Sequence, residues 1–212
     1  MKDWTPGLEL GARFVLIRRL GRGGTAEVWL ADDRERGEQV ALKILDHEEG
    51  TLPFEKGTFP SSASEVGNVP FSKGNVPSCV AVHDAVQAEG LTLIAMEYMP
   101  GGDIGQFRGR SFESWAQAAD DVAAALAALH AEGLVHRDLK CSNVLLDGAG
   151  RARIADFGMV TRTGDNAPPG GSPYNASPQQ LRGEPAQPAD DLYAFGALLY
   201  EMLTGQPPFP GD

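Results

Sequence analysis

Residues 134–146 read LVHRDLKCSNVLL, a run that brings His136, Arg137, Asp138, Lys140 and Asn143 within eight positions between short apolar stretches. A carboxylate at Asp138 can accept a proton from a hydroxyl. An amide oxygen at Asn143, five positions on, can hold a divalent cation, and Lys140 can neutralise a transferring phosphoryl group. The plain alternative is a polar turn behind a helix ending in histidine. That alternative needs five chemically apt residues to fall into this order by accident.

Working outward, Trp115, Ala119, Val122, Leu126 and Leu129 recur at three- and four-residue steps in an Ala-rich run that ends at Gly133. The spacing predicts a long helix leading into the cluster. Thirteen residues past Asn143 comes Asp156, in IADFG (154–158), at the end of an apolar strand. Magnesium that bridges phosphate oxygens needs such a carboxylate. The segment TRTGDNAPPGGSP (161–173) is too rich in Gly and Pro for regular structure. A second helix is predicted from about 189 to 203, with Leu192, Phe195, Leu199 and Met202 on one stripe and Gly205, Pro207 and Pro208 ending it.

The first hundred residues have another texture. The apolar, β-prone runs FVLI (14–17), VWLA (28–31), VALKIL (40–45), CVAVHDAV (79–86) and LTLIAMEYM (91–99) predict a five-stranded antiparallel sheet. Between the first two lies LGRGGTAEVWL (20–30), whose Gly21, Gly23 and Gly24 permit the close backbone approach with which amides cradle phosphate oxygens. A glycine-rich hairpin turn is the simpler reading of that loop taken alone. Lys43, on the third strand, could reach phosphates under it. Residues 50–78 fit neither texture, because PFEKGTFPS (53–61) nearly repeats as PFSKGNVPS (70–78) and prolines recur at 53, 60, 70 and 77. Each interior proline costs a helix about 3 kcal/mol and each glycine about 1, so no helix beyond about two turns is expected there.

The 212 residues, 42% hydrophobic and 22% charged, suit one soluble unit or two small lobes. Acidic residues outnumber basic ones 29 to 18, for a net charge of −11, which argues against a nucleic-acid partner. Cys79 and Cys141 are too few for a disulfide framework and predict a reducing, cytoplasmic setting, and no run is long and apolar enough for a leader or a membrane span.

Taken in order, the glycine loop, VALK, HRDLKCSN, ADFG and DLYAFG resemble the eukaryotic-type protein kinases, with the flavour of bacterial serine/threonine kinases. The resemblance runs from about Leu10 to Phe209 and implies an α+β, two-lobed kinase-like fold, with an N-lobe at 1–99 and a C-lobe at 100–212 that lacks its last helices. It implies MgATP bound between the lobes and phosphoryl transfer to serine or threonine hydroxyls of a protein, the chain itself among the candidates. On that resemblance Gly21, Arg22, Gly23, Gly24 and Ala26 form the phosphate loop, Val28 and Ala41 roof the adenine, and Leu145 is its floor. Lys43 holds phosphates, Met96 is the gatekeeper, and the hinge runs from Glu97 to Met99. Asp138 is the catalytic base, Lys140 contacts the phosphoryl group, and Asn143 and Asp156 hold magnesium. Asp191 anchors the catalytic loop, Ser172 positions the acceptor, and Arg137 pairs with a phosphate on Thr161 or Thr163.

Three positions depart from the family's pattern. Ala26 replaces a glycine, Gln179 replaces the glutamate of an Ala-Pro-Glu step, and the helix glutamate that should pair with Lys43 falls in the repeat, with Glu65 the candidate and Glu55 second. Lacking that partner, Lys43 is expected to turn to Asp156. The alternative is a degenerate kinase-like module that binds nucleotide or partners with little transfer. A small-molecule phosphotransferase of the aminoglycoside type fits HRDLKCSN and GSPYNASPQ less well.

Overall fold

Alternating apolar residues turn the first half of the chain into a sheet in the computed structural model, which describes residues 4–23, 26–46 and 78–209. The repeat at 50–77, with Glu55 and Glu65, lies outside the described residues, as do Gly24 and Thr25 at the loop tip. The described residues divide into two units. The first holds the described residues up to 46 together with Val80–Tyr98; the second holds Ser78, Cys79 and the residues from Met99 on.

In the first unit the strands are β1 (Glu9–Leu10), β2 (Phe14–Arg22), β3 (Ala26–Asp33), β4 (Glu38–Asp46), β5 (Val82–Ala88) and β6 (Leu91–Glu97). They form one antiparallel sheet in the order β1-β2-β3-β4-β6-β5. The five expected strands are present, and a two-residue strand, β1, extends the edge. The expected strand at Cys79 starts only at Val82, because Ser78 turns with φ +59° and its carbonyl accepts from Ile154 N at 2.9 Å. Cys79 therefore bridges Ile154 in the second unit.

Successive side chains on a strand point to opposite faces. One face of the sheet buries Phe14, Leu16, Trp29, Ala31, Val40, Leu42, Ile44, Leu91, Leu93 and Ala95 as a core. Each fully buried large side chain there contributes roughly 1.5–3 kcal/mol. Arg13 pins the sheet's end: its guanidinium meets Asp33 at 2.7 and 2.8 Å and Asp84 at 2.6 Å.

The second unit is built on α1 (Ala116–Ala131); of the expected stripe, Trp115, Val122, Leu126 and Leu129 are buried, whereas Ala119 is half-buried and Ala118 and Ala125 turn inward beside them. Next come β7 (Leu134–Val135), the antiparallel hairpin β8 (Val144–Leu146) and β9 (Ala152–Ile154), and β10 (Thr161–Arg162), which pairs with β7. Thus the Gly/Pro segment begins with two residues of strand, since Val135 offers a ladder partner to Thr161 before the glycines start. A one-turn helix, α2 (Pro178–Leu181), leads to α3 (Pro188–Thr204). Helix α3 starts on a capping box between Gln187 and Asp190 and stops at Gly205, whose φ of +76° suits a residue without Cβ.

The buried stripe of α3 differs from the expected one. It is Asp191, Ala194, Leu198 and Met202, whereas Leu192 is 60% exposed and Phe195 and Leu199 are half-buried. The helix is apolar on more than one side, and Asp191 decides which side turns inward, because its carboxylate fills a site that only buried N–H groups complete.

Asp121 ties α1 to the β8–β9 hairpin, accepting from Arg151 Nε at 2.9 Å and Ala152 N at 2.9 Å. The Arg151 guanidinium outweighs burial and holds the Asp121 carboxyl below its ordinary value. A depressed folded value adds stability that is full above the unfolded carboxyl's pKa near about 3.9 and is lost as pH falls through the folded one. Asp121→Asn should therefore lose about 1–3 kcal/mol at neutral pH in urea unfolding, with the deficit shrinking below about pH 4. A deficit independent of pH would contradict this. Among the described residues no helix is long and apolar enough to cross a membrane.

Candidate active site

The loop between β7 and β8 owes its shape to Asp191. This fully buried carboxylate on α3 accepts from His136 N at 2.8 Å through Oδ2 and from Arg137 N at 2.8 Å through Oδ1, while His130 Nε2 from the end of α1 lies 2.8 Å from Oδ2. Arg137 is thereby held in the left-handed region, φ +68°, a conformation that costs a residue with a Cβ about 1–2 kcal/mol. His136, also fully buried, accepts from Asp138 N through Nδ1 at 3.3 Å, so its Nε2 carries the proton and donates to Ala155 O at 3.1 Å. Its ring meets Phe157 edge-on at 5.7 Å.

These constraints present Asp138 to a cluster of donors. Lys140 Nζ donates to Oδ2 at 2.8 Å, and Asn143 Nδ2 donates to Asp138 O at 2.8 Å and Oδ2 at 3.1 Å. Ser172, thirty-four residues on, donates to Oδ1 from its N at 3.0 Å and its Oγ at 3.2 Å. With its NH₂ group turned to Asp138, the Asn143 side chain has its amide oxygen to offer a hard cation. Asn143 O accepts from Ala155 N at 2.8 Å, and Val144 faces Ile154 in the hairpin ladder. The hairpin thus sets Asp156, in the left-handed region at φ +62°, one residue beyond the partner of Asn143. No group of three or more His, Cys, Asp or Glu side chains among the described residues could cage a metal alone. A carboxylate and an amide oxygen that leave the remaining positions to phosphates and water are the donor set that magnesium favours.

Arg137, 3% exposed, reaches along the downstream segment, with Nη1 3.4 Å from Thr161 Oγ1 and Nη2 donating to Pro168 O at 3.0 Å. Thr163, exposed, binds Gly133 O through its backbone N–H at 2.8 Å. Cys141 is buried with Sγ 3.8 Å from Met202 Sδ, and burial pushes its thiol up to about 12, so it packs as an apolar residue.

In the first unit the ladder registers put Val28 opposite Lys43 and Lys43 opposite Ile94, and Leu30 opposite Ala41 and Ala41 opposite Met96. Val28, Ala41, Lys43 and Met96 therefore share the sheet face opposite the core. At the loop, β-bulges precede Gly21, which faces Val28, and Gly23 N donates to Ala26 O at 2.8 Å to close the hairpin. A Cβ at Gly21 would meet nothing within 4 Å, which leaves room for a ligand to approach the backbone. Arg22 lies 3.6 Å from Glu27, a buried carboxylate that also accepts from Trp29 Nε1 at 2.9 Å. Glu97 closes β6 and pairs with Ala81 through N–H···O at 2.9 Å, Met99 is buried in the second unit, and Leu145 lies at the centre of β8.

Sequence reasoning missed two groups. His130 carries no motif, and only its place at the end of α1 hinted at a partner. Gln179 holds the position that the resemblance marks, yet it is exposed, whereas its neighbour Gln180 is buried.

Residues 14–212 match the family model described as a protein kinase domain. The chain is 35% identical to the DNA damage-responsive serine/threonine-protein kinase RqkA of Deinococcus radiodurans, over 98% of this chain and 32% of that protein. It is 34% identical to the serine/threonine-protein kinase PkaA of Streptomyces coelicolor, over 95% and 40%. It is 32% identical to the serine/threonine-protein kinase PknA of Mycobacterium tuberculosis, over 97% and 50%. The chain spans about a third to a half of the length of these relatives.

Proposed function

Because this chain belongs to the protein kinase domain family, we propose that it transfers the γ-phosphoryl group of ATP to serine or threonine hydroxyls of proteins. One observation carries the reading: Lys140, Asn143 and Ser172 all converge on the single carboxylate of Asp138. The acceptor's hydroxyl oxygen bonds to the γ-phosphorus, the bond to the β-γ bridging oxygen breaks, and ADP leaves. Asp138 takes the hydroxyl proton, Lys140 offsets charge on the transferring group, and Ser172 orients the acceptor chain. Asn143 and Asp156 would hold magnesium, which neutralises phosphate charge when bound.

In the first unit, Lys43 and the backbone of Gly21, Arg22, Gly23, Gly24 and Ala26 are assigned to the phosphates. Val28, Ala41 and Met96, with Leu145 of the second unit, are assigned to the adenine faces, and the backbone of Glu97 to Met99 to its polar edge. Residues 1–99 and 100–212 are taken as the two lobes. The partners are proteins bearing serine or threonine, the chain itself included, rather than nucleic acid, and the setting is cytoplasmic.

The convergence of Lys140, Asn143 and Ser172 on Asp138 favours transfer over a module that binds without it. Isothermal titration should find saturable MgATP binding by the wild type. Lys43→Met should weaken binding or cut transfer by about 10²-fold or more, as loss of a charge-stabilising donor does. A folded chain without nucleotide affinity would contradict the reading.

A further inference from the structure

Gln180 belongs to no motif quoted above, yet it is 2% exposed in a one-turn helix. Its Nε2 donates to Arg137 O at 2.7 Å and to Gly170 O at 2.8 Å. The first carbonyl belongs to the residue before Asp138, and the second lies two residues before Ser172. One amide group thus holds the loop that carries the candidate base and the segment that carries the acceptor-orienting serine.

The surroundings are built around that amide. Gly171 passes over it with φ +95°, and a Cβ there would come within 2.6 Å of Gln180 Nε2 and 2.9 Å of Arg137 O, so only glycine fits. Gln180 is itself fixed from below, since its N donates to Ser177 Oγ at 3.0 Å and that hydroxyl donates to Asp190 on α3. The neighbouring Asp191 holds Arg137 N. Both backbone polar groups of left-handed Arg137 are therefore pinned, the N–H by Asp191 and the carbonyl by Gln180, and with them the direction in which the chain enters Asp138.

We propose that Gln180 is a positioning residue for transfer: by bridging Arg137 O and Gly170 O it keeps Ser172 on Asp138 and sets both for the acceptor hydroxyl. The proposal rests on the kinase reading but has a consequence that does not depend on activity. Gln180→Met keeps the length and removes the donors; Gln180→Glu keeps the shape and turns a carboxyl oxygen on the two carbonyls. Both should lower kcat by about 10²-fold, the effect of misplacing reacting groups by about 1 Å, with the KM for ATP within about twofold of wild type. In the Gln180→Glu variant the introduced carboxyl, while protonated, can still donate one hydrogen bond. The deficit of that variant relative to wild type should therefore deepen between about pH 6 and about pH 8.

Backbone amide exchange followed by NMR gives the second readout. The Ser172 N–H, held on Asp138, should exchange at least about tenfold faster in Gln180→Met, while Leu198 in α3 keeps its wild-type protection. Unchanged protection at Ser172 together with kcat within about twofold of wild type would overturn the proposal. So would loss of protection across α3, which would make Gln180 a packing residue only. If the wild type transfers nothing, the kinase reading fails, and exchange at Ser172 still decides whether Gln180 couples the two segments.

Discussion

Replacing Asp191 by alanine should destabilise the protein by about 3–5 kcal/mol, a large share of the roughly 5–15 kcal/mol available to a domain. The carboxylate is fully buried and accepts from His136 N and Arg137 N, both at 2.8 Å, with His130 Nε2 at the same distance. Alanine leaves two buried backbone N–H groups and a ring nitrogen without an acceptor, each backbone group costing about 1–3 kcal/mol. Strain makes matters worse, since Arg137 sits at φ +68° and has that conformation enforced partly through Asp191. Urea unfolding measures the loss directly, and Asp191→Asn, which keeps one acceptor oxygen, should lose about half as much. A change under about 1 kcal/mol for the alanine variant would mean that the loop holds itself.

The largest functional effect is expected at Asp138. Asparagine has nearly the same shape but one acceptor oxygen, so it keeps either the bonds from Lys140 and Asn143 to Oδ2 or those from Ser172 to Oδ1. The Asn143 bond to the backbone oxygen of residue 138 is untouched, so the fold and nucleotide binding should persist. It cannot take up the hydroxyl proton, and it removes the negative charge 2.8 Å from the Lys140 ammonium. Transfer should drop by about 10²–10⁴-fold, the usual contribution of a positioned general base. Steady-state kcat with the urea midpoint of the same sample separates chemistry from folding. A variant that retains transfer within about tenfold of wild type would move the base elsewhere.

Much of this was legible in the sequence because the catalytic segment is a local pattern. Asp138, Lys140 and Asn143 lie within six residues, so their order alone restricts what they can do together, and the apolar run before Asp156 reads as the strand β9. The five longer strands were readable from alternation, and α1 from its three-and-four spacing. The inward face of α3 was not legible from periodicity, although the kinase resemblance pointed to Asp191. Hydrophobic periodicity favoured the stripe through Leu192, whereas the side that turns inward carries Asp191, whose burial is driven by N–H groups fifty-four and fifty-five residues away. Gln180 was hidden for the same reason: its partners, Arg137 O and Gly170 O, are backbone atoms that leave no trace in residue type. Backbone acceptors become visible only when the chain is folded.

The central claim, that a serine or threonine hydroxyl is the acceptor, is tested most directly by incubating the wild-type chain with MgATP labelled at the γ-phosphoryl group and a mixed protein acceptor, then identifying the labelled amino acid after hydrolysis. The account predicts label on phosphoserine or phosphothreonine, in the acceptor or in the chain itself. Label released only as inorganic phosphate, or none transferred by a chain that binds MgATP, would contradict it.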